Sequence, residues 1–255
     1  MNSQNEEGVF SPLTENRFHF ACHKEISCFT QCCAKLRLIL TPYDIVRMKR
    51  RLRLSSDQFL ADYTETVIDE NRRFPMVKLK MNGSPEGACP FVTTEGCTIY
   101  EDRPEACRLY PIGRASAMVE GEKAAHNRFF VVAESHCQGF KEKRAWTLDE
   151  WLDHEGVKEY DTINDQWFGI VTSSKTLGPK AHIPKKHQMF FMASYNLDKF
   201  REFIFNSRFF DRFQVDSALK MKLEIDDVTL MRFGFDWLRF SLFGEKTIQI
   251  KEYPP

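Results

Sequence analysis

The pattern of apolar and polar positions alternates over the first part of the chain and turns helical over the second. Arg17-Phe18-His19-Phe20 alternates as a short strand, and Ala34–Leu40 alternates again, with Leu36, Leu38 and Leu40 on one face. Thr41-Pro42-Tyr43-Asp44 then reads as a helix start. It offers a capping threonine, a proline where the missing N–H is no loss, and an acidic residue three after the cap. That helix is predicted to run to about Leu52 with Ile45, Met48 and Leu52 facing inward. A second begins near Ser56, with Phe59, Leu60 and Tyr63 on its apolar side. Val77–Met81 alternates as a strand, and Asn82–Gly87 is a turn-rich connection. A hairpin is predicted from about Ala115 to Val119, turning at Glu120-Gly121-Glu122 and returning through Arg128–Ala133. Residues 1–17 read as a loose tail.

From Thr147 the period is that of helices. Thr147-Leu148-Asp149-Glu150 is a capping box and Gly156 a stop, with further helices predicted over 157–175, 186–195, 197–206, 216–222 and 227–243. The last is apolar nearly all round, through Leu230, Met231, Phe233, Phe235, Trp237, Leu238, Phe240 and Leu242, so burial is expected. Of the 23 phenylalanines, 12 lie between Phe190 and Phe243, which predicts an aromatic core for this part.

Composition narrows the function classes. Lysine plus arginine and aspartate plus glutamate number 36 each, so no global field draws the chain to nucleic acid or to an anionic membrane. The basic run from Arg47 to Arg53 is answered by Asp57, Asp62, Glu65, Asp69 and Glu70, and reads as a solvated helix face; no nucleic-acid partner is expected. No apolar run approaches the roughly 18 residues of a membrane span. The start, Met1-Asn-Ser-Gln-Asn-Glu-Glu, lacks the basic and apolar regions of a signal peptide. A cytoplasmic protein without a membrane partner is therefore expected, and in that reducing compartment metal ligation or redox chemistry explains cysteines better than disulfides do.

The eight cysteines change the picture most. Cys22, Cys28, Cys32 and Cys33 fall within twelve residues, Cys89, Cys97, Cys107 and Cys137 follow, and the last 118 residues hold none. Cysteines used as small core side chains would scatter, so all eight are predicted metal ligands. Cys32 and Cys33 are adjacent, and neighbouring side chains diverge by about 100° on a helix and about 180° on a strand. One mononuclear ion is awkward to wrap with both; two neighbouring centres, or one polynuclear cluster, would use them more naturally. The simplest expectation is that Cys32 joins Cys28 in one centre while Cys33 serves a second with cysteines of the Cys89–Cys107 segment. Eight thiols divide evenly into two four-thiolate sites, the number used by structural zinc and by cubane iron–sulfur clusters. Arg103 and Arg108 flank Cys107 and are the cations expected to balance the excess negative charge of a centre. His23 and His136 each adjoin a cysteine as alternative ligands or proton carriers, although a structural role is favoured. Tyr100 and Tyr110 read as packing residues, and His182 and His187 receive no role.

The ordered set Cys22-x5-Cys28-x3-Cys32-Cys33, Thr41-Pro42-Tyr43-Asp44-Ile45, Cys89-Pro90-Phe91, Cys97-x-Ile99-Tyr100-x-x-Arg103-Pro104-x-x-Cys107-Arg108-x-Tyr110-Pro111 and Cys137-x-Gly139 resembles the YkgJ-type cysteine-cluster family, over roughly residues 18–140. The resemblance implies zinc or iron chelation by eight characteristic cysteines. A flagellin lysine N-methylase associated with a [4Fe–4S] cluster is similar in cysteine pattern, which extends the implication to modification of a protein. The chain shows no glycine-rich S-adenosylmethionine loop and no Cys-x3-Cys-x2-Cys radical signature. Thiolates suit both metals. Cys-x2-Cys knuckles are lacking and Cys89-Pro90 echoes a ferredoxin motif, so an iron–sulfur cluster is favoured over zinc. The expected fold is α+β: a cysteine-rich metal-binding domain over 18–140 and a helical, phenylalanine-rich part over 146–255 packed on it. The expected function is an iron–sulfur protein with redox or protein-modifying activity toward a protein partner or substrate. The alternative is a zinc-stabilised interaction module without catalysis.

Overall fold

The computed structural model describes residues 10–68, 73–83, 87–117 and 126–251. In chain order come β1 (Phe10–Pro12), β2 (Arg17–His19), β3 (Ile39–Leu40), α1 (Pro42–Leu52), α2 (Ser56–Tyr63), β4 (Thr64–Val67) and β5 (Met76–Leu79). The hairpin strands β6 (Val92–Thr93) and β7 (Gly96–Cys97) precede α3 (Glu105–Leu109), and β8 (Ile112–Ala117) and β9 (His126–Val132) follow. Next are β10 (Ala145–Thr147), α4 (Leu148–His154), α5 (Val157–Val171), α6 (Ile183–Ser194) and α7 (Leu197–Asn206). The chain closes with α8 (Phe209–Arg212), α9 (Ser217–Ile225) and α10 (Asp227–Phe243). The fold is α+β, with small antiparallel sheets and a mainly helical second half.

Two compact units interleave along the sequence: 1–38 with 80–162, and 39–79 with 163–255. In the first, the sheets run β1-β9-β8, β10-β2 and β6-β7. Trp146 pairs with Phe18 in the β10-β2 register, and its indole N–H donates to the Phe20 carbonyl at 2.9 Å. Trp151 donates to the Leu109 carbonyl at 3.0 Å. These two bonds satisfy the polar edges of rings that otherwise pack with Phe18, Phe20 and Ile112 in the buried core of this unit. The segment 10–17 is not a loose tail, because β1 pairs with β9 in the register Phe10↔Val132.

Helices α3 and α4 belong to the first unit; the second holds the sheet β3-β5-β4, α1, α2, the C-terminal part of α5 and α6 to α10. The expected starts of α1 and α4 are realised as full capping boxes at Thr41–Asp44 and Thr147–Glu150, and α2 has a third at Ser55–Gln58. Helix α10 covers the expected 227–243 and buries all the apolar residues named for it except Phe240, which is half-buried. Phe74 stacks on Phe190 with ring centroids 4.3 Å apart, and Phe190 meets Tyr195 edge-on at 5.9 Å. The strand expected over Ala34–Leu40 is shortened to β3, because Lys35 takes a left-handed turn at φ 57°. The hairpin has its strands at β8 and β9, and its turn at 120–122 lies outside the described residues.

Candidate metal centre

The thiols of the first cluster are delivered by tight turns, whereas Cys97 and Cys107 come from a short strand and a short helix. After β2, successive three-residue turns close from Ile26 N–H to the His23 carbonyl (3.3 Å), Phe29 to Ile26 (3.0 Å), Gln31 to Cys28 (3.0 Å) and Cys33 to Thr30 (2.9 Å). Thr30 has φ 68°, and the turn it makes leads into the short 3-10 helix Gln31–Cys33. This turn carries the chain into the adjacent cysteines, whose side chains diverge without further help from the backbone.

Cys22, Cys28, Cys32 and Cys137 form one neighbourhood. The backbone N–H of Gln138 donates to Cys28 Sγ at 3.1 Å, and Ala21 N–H donates to the Gly139 carbonyl at 3.2 Å, so the first cluster and the last cysteine are stitched together. A Cβ on Gly139 would lie 2.6 Å from the Phe20 ring and 2.8 Å from the Ala21 carbonyl, which explains the glycine two residues after Cys137. Cys22 is exposed as a residue, yet burial of its thiol, together with Cys32, Cys28 and Cys137 nearby, raises its pKa from 9.0 to about 11.

Cys33, Cys89, Cys97 and Cys107 form the other. Cys89 N–H donates to the Cys33 carbonyl at 2.7 Å, Ala34 bridges Ala88, and Lys35 N–H donates to the Gly87 carbonyl at 2.8 Å. Cys97 ends the β6-β7 hairpin, whose turn closes at Gly96 with φ 114°, and Cys107 lies in α3 just after Pro104. Burial raises the Cys89 thiol, opposed by the N–H groups of Phe91 and Val92. Burial also raises the Cys97 thiol, opposed by the Ile99 N–H and the Arg103 guanidinium. Cys107 and Cys89 are both felt electrostatically at Cys33. Where the two neighbourhoods touch, Cys32 and Cys33 share a hydrogen bond: Cys33 keeps its proton and is raised, while Cys32 is lowered.

Arg103 is buried, stacks on the Tyr100 ring with Cζ 3.7 Å from its centroid, donates to the Tyr100 carbonyl at 2.5 Å and pairs with buried Glu155. Its charge reaches Cys97. Arg108 donates to the backbone carbonyls of Arg103 at 3.2 Å, Glu155 at 2.8 Å and Glu101, so its hydrogen bonds brace the loop that carries Arg103. Glu155, the acid that anchors Arg103, was not singled out by the sequence; it sits at the end of α4, far from the motif, with no spacing to mark it. Tyr110 packs edge-on against Phe20 at 5.9 Å, as a packing residue should, and burial beside Cys137 and Glu134 pushes its phenol well above the usual range. His23 lies 3.6 Å from Glu25 and 3.7 Å from Glu142, and His136 lies 3.6 Å from Glu134. His23 Nδ1 and His136 Nε2 are buried without a hydrogen-bond partner among the described residues.

All eight cysteines are free thiols. Among the described residues, no three His, Cys, Asp or Glu side chains stand together as a ready metal-holding group. Cysteine ligates as the thiolate, so a metal held by these residues would displace the thiol protons. The donor set fits a thiophilic metal: softness from sulfur, and N–H groups and one guanidinium placed to stabilise thiolates.

Residues 21–143 match the family model CxxCxxCC, described as a putative zinc- or iron-chelating domain. This stretch, a little under half of the chain, is similar to the YkgJ-type family. No curated protein and no solved structure matches the chain. The YkgJ-type domain here carries every one of the eight thiols, and its chemistry is metal binding. Its first cluster is drawn out from the compact Cys-x2-Cys-x2-Cys-Cys form to Cys22-x5-Cys28-x3-Cys32-Cys33. The series of turns from His23 to Thr30 spans the added residues.

Proposed function

We propose that the YkgJ-type domain holds two four-thiolate centres, one on Cys22, Cys28, Cys32 and Cys137 and one on Cys33, Cys89, Cys97 and Cys107. The observation that carries this reading is the division of the adjacent pair: Cys32 lies in electrostatic reach of Cys22, whereas Cys33 is in reach of Cys89 and Cys107. Four thiolates around a dication leave about two negative charges, which Arg103 and the N–H groups at Gln138, Phe91, Val92 and Ile99 are placed to offset. We take the centres to be iron–sulfur, serving redox or modification chemistry on a protein partner, in a reducing compartment such as the cytoplasm where free thiols persist. The domain's own residues in this reading supply thiolates, donate N–H bonds to sulfur and brace Arg103.

Zinc is the second reading, and the closed all-thiolate donor set favours it, because structural zinc sites leave no open position. The protein would then be an interaction module. Anaerobic purification with metal analysis and a visible spectrum separates the two. Brown protein with iron, acid-labile sulfide and absorption near about 400 nm is expected for the first. Colourless protein with about two zinc ions per chain establishes the second. Protein that binds neither metal overturns both.

A further inference from the structure

A cleft in the second unit has no part in the metal reading. It encloses about 600 Å³, within the range of small-molecule sites, and lies among α6, α7, α8 and α10. Its walls are rings. Phe203 and Trp237 lie 5.4 Å apart, Phe209 and Phe213 4.7 Å, and Phe213 and Phe240 5.5 Å. Phe209, Phe213 and Trp237 are buried and hold the floor, whereas Phe203 is 36% exposed and faces the opening. A large aromatic side chain left open above a preformed aromatic floor is the kind of surface a ligand covers.

The rim supplies the second half of the recognition. Arg208 and Arg212 line the cleft one helical turn apart, and neither guanidinium has an ion-pair or side-chain hydrogen-bond partner among the described residues. Asp211 lies on the same rim and has an interaction of its own. Two guanidiniums against one carboxylate leave the mouth positive. Guanidinium forks match the geometry of carboxylates, and charge-assisted bonds of this kind are roughly twice as strong as neutral ones.

We propose that this cleft binds a small aromatic carboxylate, its flat body between Phe203 and the buried rings and its anionic group on Arg208 and Arg212. Flat rings favour an aromatic body over a flexible acyl chain, because offset and edge-on ring contacts add to the area buried.

The test uses the full chain and 8-anilinonaphthalene-1-sulfonate, an anionic aromatic probe. One probe per chain is expected, with energy transfer from Trp237 that falls in Trp237→Phe. 2-Naphthoate should displace the probe at a concentration about tenfold or more below that needed by the neutral 2-naphthalenemethanol. Arg208→Ser/Arg212→Ser should weaken naphthoate about tenfold or more and leave the alcohol unchanged. Both arginines are exposed, so the far-ultraviolet spectrum and melting curve should not move, and Phe203→Ser serves as an independent variant that weakens both competitors. Equal competition by naphthoate and the alcohol, or unchanged naphthoate binding in the double variant, would overturn the proposal. Several probe molecules per chain with no response to Phe203→Ser would overturn it as well.

Discussion

Single residues decide whether the thiols meet. Gly139 holds the last cysteine close to the first cluster, since any side chain there runs into Phe20 and the Ala21 carbonyl. Gly139→Ala is expected to destabilise the protein by about 1–3 kcal/mol, by overpacking, and to lower metal content; thermal melts and metal analysis check both. Cys33 and Cys32 offer a sharper test of the grouping. Cys33→Ser should deprive one centre of a ligand and leave the other loaded, so metal per chain falls by about half and not to zero. Complete loss in Cys33→Ser, with the fold intact, would show a single shared cluster. The cysteine cluster itself was legible in the sequence, because bunched cysteines are hard to explain as core side chains. The turn that leads into Cys32 and Cys33 was not, because Thr30 in the left-handed region carries no signature of the glycine or proline kind.

Among elements, the helices of the second unit are tied by charge as well as by rings. Lys49 of α1 is buried and lies 2.8 Å from Asp227 of α10 and 3.5 Å from Asp198 of α7. Arg201 contacts the same two acids at 2.5 and 3.1 Å, and Asp198 also accepts the Ser56 N–H at the start of α2. Burial by itself would raise the Asp227 carboxyl, but Lys49 and Arg201 outweigh it and hold the pKa below 3.8. Asp198 is lowered too, against its own burial, by the Ser56 N–H, Lys49 and Arg201. A carboxylate depressed in the folded state stabilises above its unfolded pKa, and that contribution is lost as the pH falls through the folded value. The advantage of the parent over Asp227→Asn in urea melts should therefore be full at pH 7 and shrink as the pH drops below about 3.8. Lys49→Met should cost about 3 kcal/mol at neutral pH, since it leaves buried acids short of a partner. Helix positions here were readable from capping boxes and apolar period; this cluster was not, because acids and bases far apart in sequence have no local pattern. Strand β10 was missed for a similar reason: three residues, Ala145-Trp146-Thr147, carry too little alternation, and only pairing with β2 makes them a strand.

For the whole molecule, composition and compactness divide the chain along different lines. Cysteine gives way to phenylalanine near residue 140, whereas Ile39–Leu79 groups with the residues from Ile163 onward. A fragment of residues 146–255 lacks α1, α2 and the sheet β3-β5-β4, and with them Lys49, so it is expected to aggregate or stay unfolded when expressed alone; far-ultraviolet spectra and sedimentation check this. Chelation should strip hydrogen-exchange protection from the turns between Ala21 and Cys33, while amides of α10 keep theirs, because metal binding is coupled to folding of the segments that carry the ligands. The interleaving also bears on synthesis. The neighbourhood that begins at Cys22 is closed only by Cys137, more than a hundred residues later. At about 5–20 residues per second, Cys22, Cys28 and Cys32 leave the ribosome on the order of ten seconds before Cys137. Through that interval a nascent chain presents an incomplete thiol set to whatever soft ions or oxidants reach it, so correct loading depends on when metal arrives as much as on how tightly the finished protein holds it.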